Sequence, residues 1–211
     1  MKEEKETFIP AFFSGWLTPL YDLGCAFCGL GERYRQFVKN KLPLTNKNQK
    51  ILDVGCGTGA ILIDLKKTHP LGQFYGIDAD DKILSIARKK AKEADVKINV
   101  SSAFAQHLPF QKNSFDIIYS SLVFHHLPSL VKKAALQEIH RVLKQDGIFI
   151  LIDFGQPKRP FLSFPWYALK FEEGYDNYHG NIPKMIKTAK FHSVRKIGNY
   201  KHDIYIWKAK K

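Results

Sequence analysis

The sequence predicts an α/β fold: a doubly wound, mostly parallel seven-stranded sheet with an antiparallel last strand and helices on both faces. Three observations predict it. Short apolar runs alternate with amphipathic helical stretches from residue 50 onward. A glycine-rich turn, Gly55 to Gly59, joins the first run to the first helix. Two strand-like segments close the chain with no helix between them, so they pair antiparallel.

Each element has its own signal. Lys50–Val54 is a short apolar strand that takes in Asp53. Thr58–Lys67 follows as a helix with Ile61, Leu62 and Leu65 on one face, stopped by Pro70. Gln73–Ile77 is the second strand. Asp80 is the N-cap of the next helix, whose apolar face is Ile83, Leu84, Ala87 and Ala91. Val96–Val100 and Ser114–Ser120 are strands three and four. Ser129 caps a helix that carries Val131, Ala135, Leu136, Ile139, Val142 and Leu143 inward. Asp146–Gly147 is a turn into strand five, Ile148–Asp153. A basic, aromatic insert spans residues 156 to 178, Ile182–Ala189 is a helix, and Phe191–Ile197 with Asp203–Lys208 form the final pair.

Composition narrows the class. The 211 residues are 45% hydrophobic, enough for one sizeable core. Three cysteines (Cys25, Cys28, Cys56) make a poor disulfide framework and point to a reducing, cytoplasmic setting. The lone C-x-x-C has no second pair, so no metal site is expected. MKEEKETFIP does not have the pattern of a signal peptide. From Phe8 to Leu30 the only charge is Asp22, but Pro10, Gly15, Pro19, Gly24 and Gly29 break the run. That pattern suits a greasy helical lid better than a membrane span. The net charge of +13 favours anionic partners, a lipid surface or nucleic acid.

The run ILDVGCGTGA (Ile51–Ala60) carries the strongest chemistry. Glycines permit a tight turn and close approach of a ligand to backbone. The helix N-terminus after them presents amide donors. Asp53, beside the glycines, would repel a pyrophosphate and suits a ligand bearing a cation or amine. Asp78, closing the second strand, can accept from both hydroxyls of a ribose.

The run resembles motif I of the class I S-adenosylmethionine-dependent methyltransferases. QHLPF (Gln106–Phe110), SFDIIYSSLVFHHL (Ser114–Leu127) and EIHRVLKQDGIFILIDFG (Glu138–Gly155) resemble three later blocks in the same order. The subgroup it is most similar to is the ubiquinone/menaquinone biosynthesis methyltransferase type, over residues 48 to 155. The resemblance implies a Rossmann-like fold and S-adenosyl-L-methionine as cofactor. It implies a cofactor site of Asp53, Gly55, Cys56, Gly57, Gly59, Asp78, Ala79, Ala103, Phe104 and Ser120, with Tyr21 of the lid near the sulfonium. It implies one domain, with a helical lid at 1–47, a cofactor-binding core at 48–155, and an acceptor-side insert with C-terminal strands at 156–211. Two departures stand out. Phe104 occupies the place of an acid that in relatives meets the adenine amino group. Gln145 and Asp146 replace the Pro and first Gly of "RVLKPGG".

Methyl transfer from a sulfonium needs alignment, exclusion of water and sometimes removal of a proton from the acceptor. His125 and His126 follow strand four at the edge where an acceptor approaches, and either can be a general base. In the family resembled, that segment mostly shapes the cofactor pocket. Asp153 ends strand five at the same edge and can orient a base. GYDNYHG (Gly174–Gly180) reads as a polar loop that contacts the acceptor or simply turns the chain. The catalytic candidates are His125, His126, Asp153 and Tyr21.

The acceptor this predicts is a small apolar molecule, a quinone precursor or lipid, met by a cytoplasmic protein in peripheral contact with a membrane. Two alternatives stay open. The charge favours an RNA methyltransferase, and Phe104 with Gln145–Asp146 leaves room for a non-catalytic S-adenosylmethionine-binding protein. The sequence carries no signal for oligomeric state.

Overall fold

A computed structural model describes residues 30–45, 47–157, 171–201 and 203–211, with residues 171 and 172 described by backbone only. The predicted lid residues 1–29, with Tyr21, Cys25 and Cys28, and residues 158–170 of the insert lie outside the described residues.

In chain order the elements are α1 (Glu32–Lys39), β1 (Lys50–Val54), α2 (Ala60–Thr68), β2 (Gln73–Asp78), α3 (Asp81–Glu93), β3 (Asn99–Ser102), β4 (Phe115–Ser121), a 3-10 turn (Phe124–His126), α4 (Ser129–Val142), β5 (Leu143–Phe154), α5 (Phe171–Tyr178), α6 (Ile182–Thr188), β6 (His192–Tyr200) and β7 (Ile204–Lys210). One seven-stranded sheet has the order β3-β2-β1-β4-β5-β7-β6. Pairs among β1 to β5 are parallel, and β7 runs antiparallel to both neighbours. The fold class is as the sequence predicts.

The central strands are buried on both faces, so their side chains alternate between two apolar layers. Leu52, Ile118, Phe149 and Leu151 join the layer under α4 and α6. Ile51, Ile117, Tyr119, Ile150 and Ile152 join the layer with Tyr34 and Val38 of α1 and Leu62 and Leu65 of α2. By the same alternation Asp53 and Ser121 face the α1–α2 side, and Ser120 and Asp153 face the α4 side. The carboxylates of the first and fifth strands therefore open on opposite faces of one sheet edge.

Four local expectations are corrected. The third strand starts at Asn99, not Val96, because Asp95 turns left-handed (φ 50°) and the Val96 amide donates back to the Ala91 carbonyl. Ser129 is the first residue of α4, with Pro128 at the cap, and its hydroxyl donates to Asp176 instead. β5 begins at Leu143, so the Asp146–Gly147 turn is a bulge inside the strand, where pairing jumps from Phe115↔Leu143 to Ile117↔Ile148. GYDNYHG is not a loop: it is helical through Tyr178, with Asp176 and Asn177 turned inward. Asp80 does cap α3, accepting from the amides of Lys82 at 2.8 Å and Ile83 at 3.4 Å.

Candidate active site

The C-terminal edge of β1, β2, β4 and β5 gathers nearly every predicted site residue that is described. Gly55, Gly57 and Gly59 all have left-handed backbones, with φ of 83°, 52° and 71°. Each meets a different surrounding. A Cβ on Gly55 would lie 2.2 Å from Val123 Cγ2, and one on Gly59 would lie 3.1 Å from Ala87 Cβ. Among the described residues, a Cβ on Gly57 would meet nothing nearer than Ile83 Cδ1 at 3.9 Å. Gly55 and Gly59 are thus needed for packing, while Gly57 leaves space above the loop. The amides of Gly55 and Cys56 donate to the Ile77 carbonyl, at 2.8 and 2.9 Å. Those bonds dock the loop on β2.

Asp78 holds the same loop. Its Oδ2 accepts from the Gly57 amide at 2.9 Å and its Oδ1 from the Asp80 amide at 3.1 Å. Burial raises its proton affinity, and these amides work against that rise. Each carboxylate oxygen retains a second lone pair for a hydroxyl pair such as a ribose presents. Ala79 follows Asp78 directly. Ala103 donates its amide to the Asp78 carbonyl at 3.1 Å, so Ala103 and Phe104 lie beside the same edge.

Asp53 is 2% exposed, and its Oδ1 has no hydrogen-bond partner among the described residues. It sits opposite Gly76 and Tyr119 in the sheet. Among the described residues the Tyr119 hydroxyl is also without a partner in hydrogen-bonding geometry. Burial pushes the Asp53 carboxyl up to about 8; the neighbouring Tyr119 hydroxyl opposes this and the charge of Asp78 adds to it. A buried carboxyl oxygen without a donor is costly, and a ligand cation beside it offsets that cost. The orphaned acid, the open space at Gly57 and the Asp78 carboxylate fit an amino-acid-bearing nucleoside.

At the other face, Asp153 is 2% exposed and, among the described residues, collects three donors. They are the His125 amide at 3.2 Å, the Phe154 amide at 2.7 Å and His125 Nδ1 at 2.7 Å. Burial alone would raise the Asp153 carboxyl, but His125, the Phe154 amide and His126 together hold it below the ordinary range. Asp153 is therefore a carboxylate and only accepts, so Nδ1 carries the proton and Nε2 is left as the basic nitrogen. The His125 side chain is 20% exposed. Its ring lies 3.9 Å from that of His126 and edge-on to Phe154 at 4.8 Å. Leu122, just upstream, holds a left-handed backbone (φ 59°) that turns the chain off β4 toward this pair.

Two predicted residues have other tasks. Ser120 is fully buried and donates to the Val54 carbonyl at 2.7 Å, tying β4 to β1, so its hydroxyl is committed away from a ligand. The Cys56 thiol is buried, and a Cβ on Gly76 would approach its Sγ to 2.7 Å, so it packs against β2. Burial and the charges of Asp53 and Asp78 raise that thiol.

Tyr34 escaped the sequence reading. It is buried in α1 and shares a 2.7 Å hydrogen bond with the Ser121 hydroxyl at the tip of β4. Burial and the charges of Asp153 and Asp53 raise its proton affinity, against the Ser121 bond. It therefore lies in the field of both carboxylates. Its only sequence signal was an apolar face in ERYRQFVK, too short to place it at a site.

Comparisons with known proteins place the chain in a family. Residues 51–147 match the family model described as a methyltransferase domain. The ubiquinone/menaquinone biosynthesis C-methyltransferase UbiE of Citrifermentans bemidjiense is 32% identical over 174 residues, 79% of this chain and 72% of that protein. The chain belongs to the class I S-adenosylmethionine-dependent methyltransferases, in the UbiE type. The demethylmenaquinone methyltransferase of Lactobacillus johnsonii is 33% identical over 138 residues; there the methyltransferase described here spans 53% of the relative's length. Its structure is similar to that of the YcgJ protein of Bacillus subtilis, at 25% identity and TM-score 0.66, covering 80% of this chain and 72% of that one. A Haemonchus contortus phosphoethanolamine N-methyltransferase, solved with S-adenosyl-L-methionine, shares the fold at 17% identity and TM-score 0.70, over 86% of this chain and 53% of that one. The cofactor of this methyltransferase is S-adenosylmethionine.

Proposed function

We propose that the enzyme methylates a small apolar acceptor with an acidic proton, of the quinone-precursor or lipid-like class, using His125 as general base and Asp153 to orient it. One observation carries the base assignment: the 2.7 Å contact of His125 Nδ1 with a carboxylate that is buried and kept ionised. The names of the relatives support the acceptor class, since they act in quinone biosynthesis or on demethylmenaquinone.

Bound S-adenosylmethionine supplies an electrophilic methyl group on a sulfonium. In this reading Asp53 faces the ammonium of its methionine part, Gly57 leaves room for it, and Asp78 takes the ribose hydroxyls. Ala79, Ala103 and Phe104 line the adenine slot, with Phe104 giving a ring face where relatives place an acid. Asp153 fixes the His125 tautomer, and Nε2 takes the acceptor's proton as the acceptor takes the methyl. His126 backs the His125 ring. Tyr21, outside the described residues, keeps its proposed place near the sulfonium.

No helix among the described residues is long and apolar enough to cross a membrane. The proposed setting is a cytoplasmic protein that meets its apolar acceptor in peripheral contact with a membrane. The +13 charge favours RNA as a second reading. Incubation with methyl-labelled S-adenosylmethionine and, separately, a reduced demethylmenaquinone, mixed lipid extract and tRNA tests both. Label in the quinol or lipid sample supports the proposal. Label in tRNA alone overturns it.

A further inference from the structure

A second polar cluster lies beside the His125–Asp153 pair and has no part in the mechanism above. Lys132, in the first turns of α4, is 0% exposed. Its ammonium donates to the Glu173 carbonyl and stands 3.7 Å from Asp176 Oδ2. Asp176 in turn accepts from the Ser129 hydroxyl and, at 3.1 Å, from Asn181 Nδ2. One residue on, fully buried Asn177 donates its Nδ2 to the Phe154 carbonyl at 2.8 Å. Phe154 is also the residue whose amide holds Asp153.

The connections give this cluster its meaning. Lys132, Ser129 and Asp176 strap α5 to α4, and Asn177 straps α5 to the end of β5. Between those straps α5 packs on the 3-10 turn that carries His125 and His126. A buried ion pair is weak evidence for stability by itself, since apolar residues of similar size often serve as well. A fixed cation near a catalytic carboxylate has a distinct effect, because it biases the proton equilibrium of whatever that carboxylate holds. Lys132 reaches the dyad through the clamp: Asp176, 3.7 Å from its ammonium, lies on α5, which packs on the turn bearing His125; burial lowers the Lys132 proton affinity, while the charges of Asp176 and then Asp153 raise it. Coupling between two charges is reciprocal, so Lys132 acts equally on Asp153.

We propose that Lys132 and Asp176 are positioning residues for the His125–Asp153 dyad: together they clamp α5 over the turn bearing His125 and set the charge that the dyad feels. The proposal deepens the general-base reading and rests on it for its catalytic meaning. The charged and titratable groups coupled to the dyad and its clamp are Asp153 on β5, His126 on the turn, Tyr34 on α1, Lys132 and Lys133 on α4, and Glu173 and Asp176 on α5. Removing a cation from this set raises the His125 midpoint, and removing an anion lowers it. The two variants therefore move it in opposite directions, which loss of a purely structural strap would not do.

The test is direct titration of the His125 imidazole by long-range proton–nitrogen NMR in the full chain, with kcat/KM against pH measured in parallel on a reduced demethylmenaquinone. Lys132→Gln keeps a donor for the Glu173 carbonyl and deletes the charge; its midpoint should rise by about half a pH unit. Asp176→Asn keeps the side chain's size and one of its two acceptor oxygens and deletes the negative charge; its midpoint should fall. Lys132→Arg should leave the midpoint where it is. Unchanged midpoints in folded Lys132→Gln and Asp176→Asn protein overturn the proposal. If one of the two fails to fold, the direction of shift in the other decides. Midpoints that move while the rate profile stays fixed keep the positioning pair and refute His125 as the base.

Discussion

Asp53 on β1 and Tyr119 on β4 are paired neighbours in the sheet, and each presents to the α1–α2 side of the cofactor edge a buried polar atom without a hydrogen-bond partner among the described residues. A ligand that brings a donor or a cation to this edge repairs such a defect. The arrangement makes ligand-free stability and cofactor affinity opposite sides of one residue.

A pH dependence follows from Asp53. Its carboxyl titrates near 8 in the fold against an ordinary 3.8. Between those values the folded chain holds a proton that the unfolded chain has released. Stability of the ligand-free protein therefore falls as pH rises through that window and is lowest above it. Asp53→Asn removes this slope and should raise the melting temperature at pH 8.5 while leaving it nearly unchanged at pH 4. The same variant should weaken S-adenosylmethionine binding at least about tenfold, on the scale of a lost charge-assisted contact. Parallel melting curves for the two proteins across pH would refute the unpaired-acid account.

Two glycines of one loop should fail differently. Gly55→Ala collides with Val123 and strains φ, so it should cost about 2–5 kcal/mol in urea unfolding. Gly57→Ala meets open space and should cost only about 1–2 kcal/mol, from φ alone. Its loss should appear in calorimetric titration with S-adenosylmethionine, because the new methyl group occupies the ligand's approach. Unchanged S-adenosylmethionine affinity in Gly57→Ala would show that the space at Gly57 is not a binding space.

Asp146 carries φ of 60° at the β5 bulge, where the family pattern has Gly. Asp tolerates that backbone better than most residues but not as well as Gly. Asp146→Gly should be neutral to stabilising, by up to about 1 kcal/mol, without a change in cofactor affinity. A destabilised Asp146→Gly would show that the side chain, not the backbone, sets the bulge.

Asp78→Ala removes the acceptor for the Gly57 and Asp80 amides together with the proposed ribose contact. Isothermal titration should show affinity for S-adenosylmethionine lowered by tenfold or more. An unchanged affinity would place the ribose elsewhere.

The strand–glycine–helix order was legible because period, turn chemistry and burial all depend on local sequence: β1, β2 and the Asp80 cap lie where the pattern predicts. The carboxylates Asp53, Asp78 and Asp153 were legible because each sits at a strand end, where topology alone fixes the edge. Side-chain direction was not legible. Ser120 and Ser121 are adjacent, yet one hydroxyl bonds to Val54 across the sheet and the other to Tyr34. Which one faces which layer depends on register with β1 and β5. Asp176 and Asn177 read as a turn because Gly174, Asp176 and Asn177 favour turns locally. Their inward hydrogen bonds to Ser129 and Phe154 come from distant residues and override that preference.

The central claim is that His125, held by Asp153, takes the proton in an S-adenosylmethionine-dependent methyl transfer. Its most direct test is single-turnover methyl transfer to a reduced demethylmenaquinone by wild type, His125→Asn and Asp153→Asn, with cofactor affinity measured on the same preparations. The account predicts normal cofactor binding in both variants and transfer slowed by about 10²–10⁴-fold. Wild-type transfer rates in His125→Asn would contradict it.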